Sequence, residues 1–591
     1  MKKIISIAMV LFLMISGITV VGLNATTNKD ILAIKESYSL SELYVLDEGD
    51  FIFVDFEEST SFTSDVGYPE VPVLTKRYVL PFGAQITSLE VLFSNKQEVI
   101  IPKHIAPVEI PRPISEMGSA RAPAVTQFYK NMPLFPEEPY EYTLGTGLDD
   151  EGNRVSFLSV ICYPVRYNPS QETLFYSDEV EISVEYKEES NRMTFGDEYD
   201  MVIITPKKYS NNAQSLADHK NRFGLSTFVK TTEEIYSEYN KVDEAEEIKY
   251  FIKDAIEDLG VEFVLLLGDY ENVPMRTTYI YMLWEGNWYN QTFITDLYYA
   301  DVYDEQGEFS SWDSNGNGKF GEVYKGYPGD GDDFDLYPDV RVGRIACRSN
   351  LDARIVISKI INYETNAYGK AWSNRALLMG GDTFPGHGNI EGEFVTGLIS
   401  EEIPDYEQII LWTSKGNYNP FTINLEITKG VGVVTYSGHG YQFGFGTSPP
   451  NQEERIEYYT PYTIGMLNIN KYPIIFFDAC STAELDYRRY GIRIPTFAWY
   501  IVRKPIGGAI ATIGATRIAY TYVNHQGVHG GAGYLNLHFF KAYEDGRSVA
   551  EVFNSAQNDY ITHVSWLKYT TVKEFILIGD PSLRIGGYNP P

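Results

Sequence analysis

The chain of 591 residues carries 80 acidic and 48 basic side chains, which gives a formal net charge of −32 at pH 7. This excess of negative charge repels nucleic acids and anionic membrane surfaces, so neither is expected as a partner. Hydrophobic residues make up 44% of the chain and aromatic residues 14%, which is enough apolar surface to exclude wholesale disorder and to fill the cores of several domains.

Residues 1–25 have the layout of a secretory signal peptide. Two lysines precede an apolar run over residues 4–23, and Ala25 offers a small residue at the cleavage point. We therefore expect a secreted or extracellular protein. The apolar run is also long enough to remain uncleaved as an N-terminal membrane anchor, and this alternative stays open.

Residues 26–192 are predicted to form a β-rich domain. Short apolar or alternating runs, such as residues 51–56 and 160–163, are separated by proline and glycine, with no long helical pattern between them. A polar stretch over residues 187–197 follows, which is typical of an exposed linker. We place the domain boundary there, so that the second domain spans residues 193–591.

From residue 200 onward, strand-like runs alternate with helical runs, which is typical of an α/β domain with a mostly parallel sheet. The clearest helix is predicted over residues 243–259, with Asp243 as its N-cap and Gly260 at its end. The apolar run over residues 263–267 is predicted to be a buried parallel strand. Further strands are predicted over residues 201–204, 340–345, 376–379, 431–436, 474–477 and 509–513.

Two of the predicted strands end in side chains that can perform chemistry. His439 follows the strand at residues 431–436, and Cys480 follows the strand at residues 474–477. Because the carboxyl ends of neighbouring parallel strands meet at one edge of a sheet, we expect both side chains in one crevice. An imidazole beside a thiol favours the nucleophilic thiolate. The backbone N–H groups of Gly440 and Cys480 are then candidates for an oxyanion hole.

Each of these residues also has a structural interpretation. A lone cysteine after an apolar strand is often a small core residue, and a histidine in a glycine-rich turn is often structural. Their joint placement favours catalysis instead. Ser437 is a competing nucleophile, although no G-x-S-x-G turn surrounds it. His525 and His529 lack the glutamate of a zinc motif and are predicted to lie in a surface loop.

An ordered series of short motifs resembles the gingipain-type cysteine peptidases, which are relatives of caspases and legumains. The resemblance covers about residues 196–590, and the preceding β-rich region resembles the propeptide of that family more weakly. The motifs that carry it are, in chain order, Leu265-Leu266-Leu267-Gly268-Asp269, Val273-Pro274, Thr295-Asp296-Leu297-Tyr298-Tyr299, Val342-Gly343-Arg344-Ile345, Tyr363-Glu364, His439-Gly440, Ala479-Cys480 and Gly579-Asp580-Pro581-Ser582-Leu583.

The resemblance implies a caspase-like α/β fold in which Cys480 and His439 hydrolyse peptide bonds and an acidic residue supports the histidine. Asp382, just beyond a predicted strand, is the best match for that acid. The implied partners are protein or peptide substrates and the chain's own prodomain. We expect the prodomain to cover the crevice until the chain is cut near residues 187–192, where Arg192 stands in the exposed linker.

The resemblance also implies a preference for basic residues before the cut. Such a preference requires an acid in the specificity pocket, and Glu391 and Glu393 are the candidates by position. Their alternative role is that of ordinary carboxylates at a helix N-terminus, where negative charge is favourable.

The loop at residues 313–322 has the first half of a calcium-binding pattern, with oxygen-bearing side chains at alternate positions and a glycine at the turn. The candidate metal-site residues are Asp313, Asn315, Asn317, Lys319 and Glu322. Tyr324 stands where an EF-hand would have glutamate, so a solvated loop is the alternative. Since the resembled family has members that bind calcium, we expect a structural Ca²⁺ ion. Other possible ligands are Asp269, Asp296, Asp330, Asp332, Asp333 and Asp335.

The function expected from the sequence is therefore that of a secreted cysteine endopeptidase made as a zymogen. Two alternatives stay open. The same residues could transfer the acyl group to an amine, as in transpeptidases that process exported proteins. The second alternative is a non-catalytic surface protein that has a peptidase fold and binds calcium. The presence of both Cys480 and His439 weighs against it.

Overall fold

A computed structural model describes residues 31–109, 111–114, 129, 132–188, 195–284, 287–325, 331–386, 388–524, 527–565 and 567–589. Four sequence-based predictions lie outside these residues: the signal peptide or anchor at residues 1–25, the cleavage point at Arg192, the possible ligand Asp330, and the loop position of His525.

The N-terminal part consists of β-strands, as the alternating pattern predicts. Two four-stranded antiparallel sheets are built from β1, β6, β10 and β11 and from β4, β5, β8 and β9, around a core of their own. The strands are β1 (Ile31–Ser39), β2 (Tyr44–Glu48), β3 (Phe51–Asp55), β4 (Ser61–Phe62), β5 (Pro72–Pro81), β6 (Gln85–Ile100), β7 (Arg112–Pro113), β8 (Tyr140–Leu148), β9 (Arg154–Cys162), β10 (Val165–Asn168) and β11 (Thr173–Lys187).

The second part alternates strands and helices. Its strands are β12 (Met201–Thr205), β13 (Thr227–Thr231), β14 (Phe263–Leu267), β15 (Arg276–Trp284), β16 (Asn287–Thr295), β17 (Phe320–Lys325), β18 (Arg341–Ile345), β19 (Arg375–Gly380), β20 (Glu407–Trp412), β21 (Val433–Ser437), β22 (His439–Tyr441), β23 (Gly444–Thr447), β24 (Ile456–Tyr459), β25 (Ile474–Asp478), β26 (Arg488–Arg489), β27 (Ile492–Arg493), β28 (Ala511–Ala515), β29 (Tyr520–Asn524), β30 (Gly527–Gly530) and β31 (Phe575–Ile578).

The helices of this part are α1 (Ser210–Arg222), α2 (Thr232–Glu238), α3 (Glu244–Leu259), α4 (Leu297–Ala300), α5 (Asn350–Asn366), α6 (Glu391–Glu402), α7 (Pro420–Lys429), α8 (Phe497–Val502), α9 (Gly531–Lys541), α10 (Val549–His563) and α11 (Lys568–Glu574). Helix α3 begins and ends where the sequence predicts. The Asp243 carboxylate accepts a hydrogen bond from the N–H of Glu246, and Gly260 ends the helix in a left-handed conformation with φ of 82°.

A ten-stranded sheet forms the centre of the second part, in the order β13-β12-β14-β18-β31-β28-β25-β21-β19-β20. Every neighbouring pair is parallel except β28 and β31, which are antiparallel. The sheet therefore consists of two parallel blocks that run in opposite directions. The predicted α/β class, with a mostly parallel sheet flanked by helices and preceded by a β-rich region, is confirmed. Strands β21 and β25 lie side by side in one block, and β14 lies in the other.

The N-terminal part packs against the α/β part through apolar contacts. Val108, Ile114, Val155 and Phe157 belong to the same buried cluster as the central sheet, and the rings of Phe157 and Tyr337 lie 4.9 Å apart between centroids. The prodomain-like region thus covers part of the α/β surface. No helix in the described portion of the chain is both long and apolar enough to cross a bilayer.

Candidate active site

The two candidate catalytic side chains follow adjacent strands. Ser437, the last residue of β21, pairs with Asp478, the last residue of β25. The N–H of Gly438 also donates to the carbonyl oxygen of Asp478 over 3.1 Å, which ties the two strand ends together. His439 and Cys480 follow this pair, and each is only 1% exposed. The crevice expected at the carboxyl edge of these strands is therefore covered in this form of the chain.

The turns that carry these residues are tightly constrained. Gly438 has φ of 153°, and a Cβ atom there would lie 2.5 Å from the Tyr436 hydroxyl, which donates to the carbonyl of His439 over 2.9 Å. Ser481, directly after Cys480, has φ of 46°, a conformation that non-glycine residues seldom adopt. Such conformations concentrate at functional sites and cost about 1–3 kcal/mol each. The backbone next to His439 and next to Cys480 therefore adopts unusual φ angles at Gly438 and Ser481, which the sequence pattern does not predict.

Gly440 lies directly against the backbone of Cys480. A Cβ atom at Gly440 would come within 2.6 Å of the carbonyl oxygen of Cys480 and 3.1 Å of its nitrogen. The two residues predicted to form an oxyanion hole are therefore neighbours in space, and only glycine allows the approach. Whether their N–H groups bind an oxyanion stays a prediction.

The imidazole of His439 faces two backbone carbonyl groups. Its Nε2 atom lies 2.8 Å from the oxygen of Thr383, and its Nδ1 atom lies against the oxygen of Ile114. A neutral imidazole has a single N–H, so it can donate to only one of these two oxygens. Asp382 is next to Thr383 in sequence, and its carboxylate accepts a hydrogen bond from the N–H of Asn451 over 2.7 Å. The group in direct contact with the imidazole is thus the Thr383 carbonyl. Orientation of the ring by the Asp382 carboxylate stays a prediction.

The two acids predicted for the specificity pocket are buried and hydrogen-bonded within the fold. The Glu391 carboxylate accepts hydrogen bonds from the N–H groups of Thr383 and Phe384 over 3.2 and 3.3 Å. Both oxygens of Glu393 accept hydrogen bonds, from the side chains of Thr413 and Ser414 and from the N–H of Ser414. Glu391 therefore supports the loop whose carbonyl contacts His439, a role that the sequence pattern did not reveal.

Burial dominates the electrostatics of the site. Burial, followed by the positive charge of Arg455, lowers the pKa of His439 to about 4, against the raising effect of the carbonyls of Thr383 and Ile114. Burial raises the pKa of the Cys480 thiol, while hydrogen bonds from the backbones of Ala519 and Ile114 partly oppose this. In the covered state the pair is therefore a neutral imidazole and a neutral thiol.

Arg455 is a further charged group near the site that the sequence analysis did not identify. Its Nε and Nη2 atoms are buried and have no hydrogen-bond partner within the described residues. Burial lowers the pKa of this guanidinium, and the nearby Cys480 raises it. No motif surrounds Arg455 in the sequence, so only its position in space could reveal it.

Ser437, the alternative nucleophile, donates a hydrogen bond from its Oγ atom to the Asp478 carboxylate over 2.6 Å. Burial raises the pKa of Asp478 to about 7, and the Ser437 hydrogen bond lowers it in part. The imidazole of His439 faces other partners, as described above. Ser437 therefore has no adjacent imidazole to act as its base, and its hydroxyl is held by the Asp478 carboxylate.

The loop at residues 313–322 satisfies its own oxygens. Asp313 accepts hydrogen bonds from the N–H groups of Asn317 and Gly318, and the Asn317 oxygen accepts one from the N–H of Lys319. The Lys319 ammonium lies 3.2 Å from a Glu322 oxygen, where a bound cation would compete with it. Asn315 donates through its backbone to Asp332 over 3.4 Å. Within the part of the chain that the structure describes, no three His, Cys, Asp or Glu side chains come together as a metal site.

Asp269 and Asp296, two further candidate ligands, form ion pairs instead. Asp296 binds the buried guanidinium of Arg344, and Asp269 lies 2.5 Å from Arg493. Strand β14, which leads to Asp269, also runs opposite to β25. The described geometry therefore does not form a three-carboxylate cage, and calcium binding stays a prediction.

The comparison with protein families identifies the chain. A model of Peptidase family C25 matches residues 196–586, which is more than half of the chain, and a C25 propeptide model matches residues 43–202. The chain belongs to peptidase family C25. The C25 peptidase match contains His439, Cys480 and the whole ten-stranded sheet, and the C25 propeptide match contains Ile114.

Among the relatives, Gingipain R2 of Porphyromonas gingivalis is 25% identical over 506 residues, which cover 77% of this chain and 59% of the relative. Lys-gingipain HG66 of the same species is 22% identical over 509 residues, or 78% of this chain and 25% of that relative. The solved complex of the RgpB pro- and mature domains aligns with a TM-score of 0.48 and 22% identity, covering 65% of this chain and 79% of that structure. This chain thus spans about three fifths of the length of Gingipain R2.

Proposed function

We propose that this protein is a secreted cysteine endopeptidase, made as a zymogen, in which Cys480 and His439 hydrolyse peptide bonds. The observation that carries the proposal is the pairing of Ser437 with Asp478 at the ends of adjacent parallel strands, since His439 and Cys480 follow this pair. Membership of family C25 and the match to its propeptide support the same activity. The signal-like sequence of residues 1–25 supports export.

The proposed peptide hydrolysis begins with proton transfer from the Cys480 thiol to the His439 imidazole. With its proton on Nε2 held by the Thr383 carbonyl, His439 presents Nδ1 to take the proton of the Cys480 thiol. The thiolate then attacks the substrate carbonyl carbon, and the N–H groups of Gly440 and Cys480 stabilise the developing oxyanion. Imidazolium returns its proton to the leaving amine, which leaves a thioester on Cys480. Water hydrolyses the thioester to a carboxylic acid and regenerates the thiol.

The prodomain is proposed to keep this site latent. Ile114 of the propeptide region contacts His439 directly, and Cys480 is 1% exposed in the complete chain. A substrate carbonyl has no access to the Sγ atom while this contact persists. Activation therefore requires that the segment leaves the crevice, and a cut near residues 187–192 would separate the two parts of the chain.

Cleavage after arginine or lysine is the finer expectation from the resemblance. It requires a carboxylate that is available to the substrate, whereas Glu391 and Glu393 accept hydrogen bonds from the protein itself. A basic preference through these two acids would require that the pocket rearranges when the prodomain leaves. Peptide reporters decide this point.

The proposed activity is tested by labelling the full chain with a thiol-directed peptidyl inhibitor after activation and mapping the modified residue. We expect the label on Cys480. Cys347→Ala is the matched control, because Cys347 is also a free and buried cysteine of the α/β part. Loss of labelling in Cys347→Ala, or full hydrolysis by Cys480→Ala, would contradict the proposal. Product analysis with an added amine separates hydrolysis from transpeptidation.

A further inference from the structure

Six large apolar side chains are exposed close together on the α/β part, and we call this group the apolar patch. They belong to helix α7, to the segment before β25 and to the loop after α8: Phe421, Leu425, Ile464, Leu467, Ile469 and Ile506. Phe421 is 76% exposed and Ile464 is 81% exposed. Single exposed apolar residues are common, whereas a contiguous group of them is typical of an interaction site.

Hydrogen bonds hold helix α7 alongside the segment that precedes β25. The Asn424 side chain donates to the carbonyl of Tyr462 over 2.9 Å, and the Thr428 hydroxyl donates to the carbonyl of Gly465 over 3.1 Å. The N–H of Leu467 in turn donates to the Thr428 hydroxyl over 3.1 Å. The helix and this segment therefore form one continuous surface.

Two of the patch residues lie on α7 beside these contacts. Phe421 stands three residues before Asn424, and Leu425 stands three residues before Thr428. Residues three apart share a face of a helix, so both apolar side chains border the row that contacts the neighbouring segment. Ile464 lies on the 3-10 helix of that segment, on the same surface.

The loop after α8 joins the same surface. The Lys504 ammonium donates to the carbonyl of Met466 over 3.1 Å and also to the carbonyl of Ile506. Leu467 and Ile469 follow Met466 in the chain, and the N–H of Ile469 donates to the carbonyl of Leu467 over 2.9 Å. One lysine therefore brings Ile506 next to the stretch that carries these two residues.

This surface differs in charge from the chain as a whole. Residues 418–430, 458–473 and 500–510, which build it, contain four basic residues and one acidic residue, whereas the complete chain has 48 basic and 80 acidic residues. The ammonium groups of Lys471 and Lys504 contact backbone carbonyl oxygens, and neither pairs with a carboxylate within the part of the chain that the structure describes. The apolar patch is thus bordered by two positive charges without a counter-charge.

The apolar patch extends to the edge of the central sheet that lies opposite the catalytic residues. Leu467 and Ile469 lead into β25, and Ile506 leads into β28, which is parallel to β25. His439 and Cys480 instead come after the carboxyl ends of β21 and β25. A flat partner on the apolar patch therefore leaves the crevice accessible.

An anionic lipid surface fits this combination better than a second copy of the chain. In a symmetric dimer the patch would meet itself, so that Lys471 and Lys504 would face like charges. At a bilayer, exposed apolar side chains bind the boundary between headgroups and acyl chains, and lysines attract anionic headgroups. The negative charge of the rest of the chain acts weakly there, because salt screens charges beyond about 8 Å at physiological ionic strength.

We propose that the apolar patch binds reversibly to membrane surfaces that contain anionic lipids. The net charge of −32 led to the opposite expectation, because it averages over this locally basic surface. Binding through the patch holds the chain on the bilayer without covering the Cys480 crevice. The inference concerns a separate surface and does not rest on the proposed peptidase activity.

The test measures sedimentation with sucrose-loaded vesicles, made either of phosphatidylcholine alone or of equal parts phosphatidylcholine and phosphatidylglycerol. The protein is the chain from residue 26 onward, because the apolar run before it would itself insert into lipid. We expect binding to the anionic vesicles to be at least about 10-fold tighter than to the neutral ones, and to weaken at high salt. Equal binding to both lipids, or no binding to either, would overturn the proposal.

Variants of the patch identify the surface that binds. Ile464→Asp should weaken binding to the anionic vesicles at least about 10-fold, because it removes an apolar side chain from the patch. Ile100→Asp is the matched control, since Ile100 is also 81% exposed but lies on the propeptide region, and it should bind like the unchanged chain. Lys471→Gln should weaken binding about 5-fold and reduce its dependence on salt. Identical binding by the two aspartate variants would overturn the proposal.

Light scattering without lipid tests the other occupant of the patch. We expect the unchanged chain and Ile464→Asp to have the same mass, and the same Tm because the replaced side chain is exposed. A dimer that dissociates in Ile464→Asp, together with no vesicle binding, would assign the patch to self-association instead.

Discussion

The backbone N–H of Ala519 donates a hydrogen bond to the Sγ atom of Cys480 over 3.2 Å. Ala519 is also the residue whose carbonyl accepts the N–H of Ile114, so one residue contacts both the proposed nucleophile and the bound propeptide segment. The strand that pairs with the segment, β29, is therefore linked directly to the sulfur. Occupation of β29 and the environment of the thiol are expected to change together.

Replacing Cys480 by alanine tests the nucleophile and its packing in one variant. The change removes the attacking atom, so kcat/KM should fall by at least about 1,000-fold. It also leaves the buried Ala519 N–H without its acceptor, which costs about 1 kcal/mol and lowers Tm by about 1 °C in a domain of this size. Activity is measured after removal of the prodomain and Tm in the otherwise unchanged chain. Cys347→Ala should keep its activity. An active Cys480→Ala together with an inactive Cys347→Ala would identify Cys347 as the nucleophile instead.

Arg455 is predicted to stabilise the Cys480 thiolate by its charge. Arg455→Met should raise the pKa of the thiol and lower kcat/KM about 10-fold near pH 6, with recovery at higher pH. Arg455→Lys keeps the charge and should keep most of the activity. The pH dependence of kcat/KM and of thiol alkylation is the measurement.

The control for Arg455 is Arg489→Met, which removes the same charge from an exposed strand, β26. This variant should not shift either pH profile. If Arg455→Met also leaves both profiles unchanged, then the guanidinium does not act on the thiolate.

Glu391 is predicted to position His439 by holding the Thr383 loop. Glu391→Ala removes the acceptor for two backbone N–H groups and should lower kcat about 10- to 100-fold with little change in KM. Glu391→Gln keeps an acceptor oxygen and should restore most of kcat. A specificity role for the carboxylate would give a different result, since both variants would then raise KM for Arg reporters alone.

The sequence was sufficient to predict the parts of the fold that depend on local pattern. The periodic helix between Asp243 and Gly260 and the buried runs that became β14, β21 and β25 are all present. The reversal between β28 and β31 was not predicted, because strand direction depends on long-range pairing and leaves no local pattern.

The sequence predicted those active-site residues that belong to recognisable motifs. His439, Gly440 and Cys480 follow recognisable strands, and the structure brings their backbones together. Thr383 and Ile114 contact His439 through carbonyl oxygens, which every residue possesses, so no residue type signals them. Backbone groups at a site can be identified only once the chain is folded.

Calcium is predicted to stabilise the loop at residues 313–322 if it displaces the Lys319 ammonium from Glu322. A bound ion stabilises the folded state by RT ln(1 + [L]/Kd), so millimolar Ca²⁺ should raise Tm and a chelator should lower it. Lys319→Ala should increase the effect of calcium, and Glu322→Gln should abolish it. Glu305→Gln, an exposed acid on a nearby turn, is the control. Identical melting with calcium and with chelator in all four proteins would leave the loop as a solvated turn.

Glu70 links the propeptide region to strand β29 of the α/β part and should make stability depend on pH. The carboxylate is 4% exposed and accepts a hydrogen bond from the hydroxyl of Tyr522 on β29. Burial raises the pKa of Glu70 from 4.5 to about 7, with Tyr522 lowering it and Glu109 raising it. Between these two pH values the folded chain retains a proton that the unfolded chain has lost. The free energy of unfolding therefore falls as pH rises from about 4.5 to 7, by up to about 3 kcal/mol.

Glu70→Gln removes this titration while keeping an acceptor for Tyr522. The variant should therefore melt at a higher temperature than the unchanged chain at pH 8, and the two Tm values should converge near pH 4.5. Glu98→Gln is the matched control, because Glu98 is an exposed acid of the same region on β6. Tm is measured across the pH range for all three proteins by the same thermal scan. A constant difference between Glu70→Gln and the unchanged chain at every pH would show that burial does not raise the pKa of Glu70 in the folded protein.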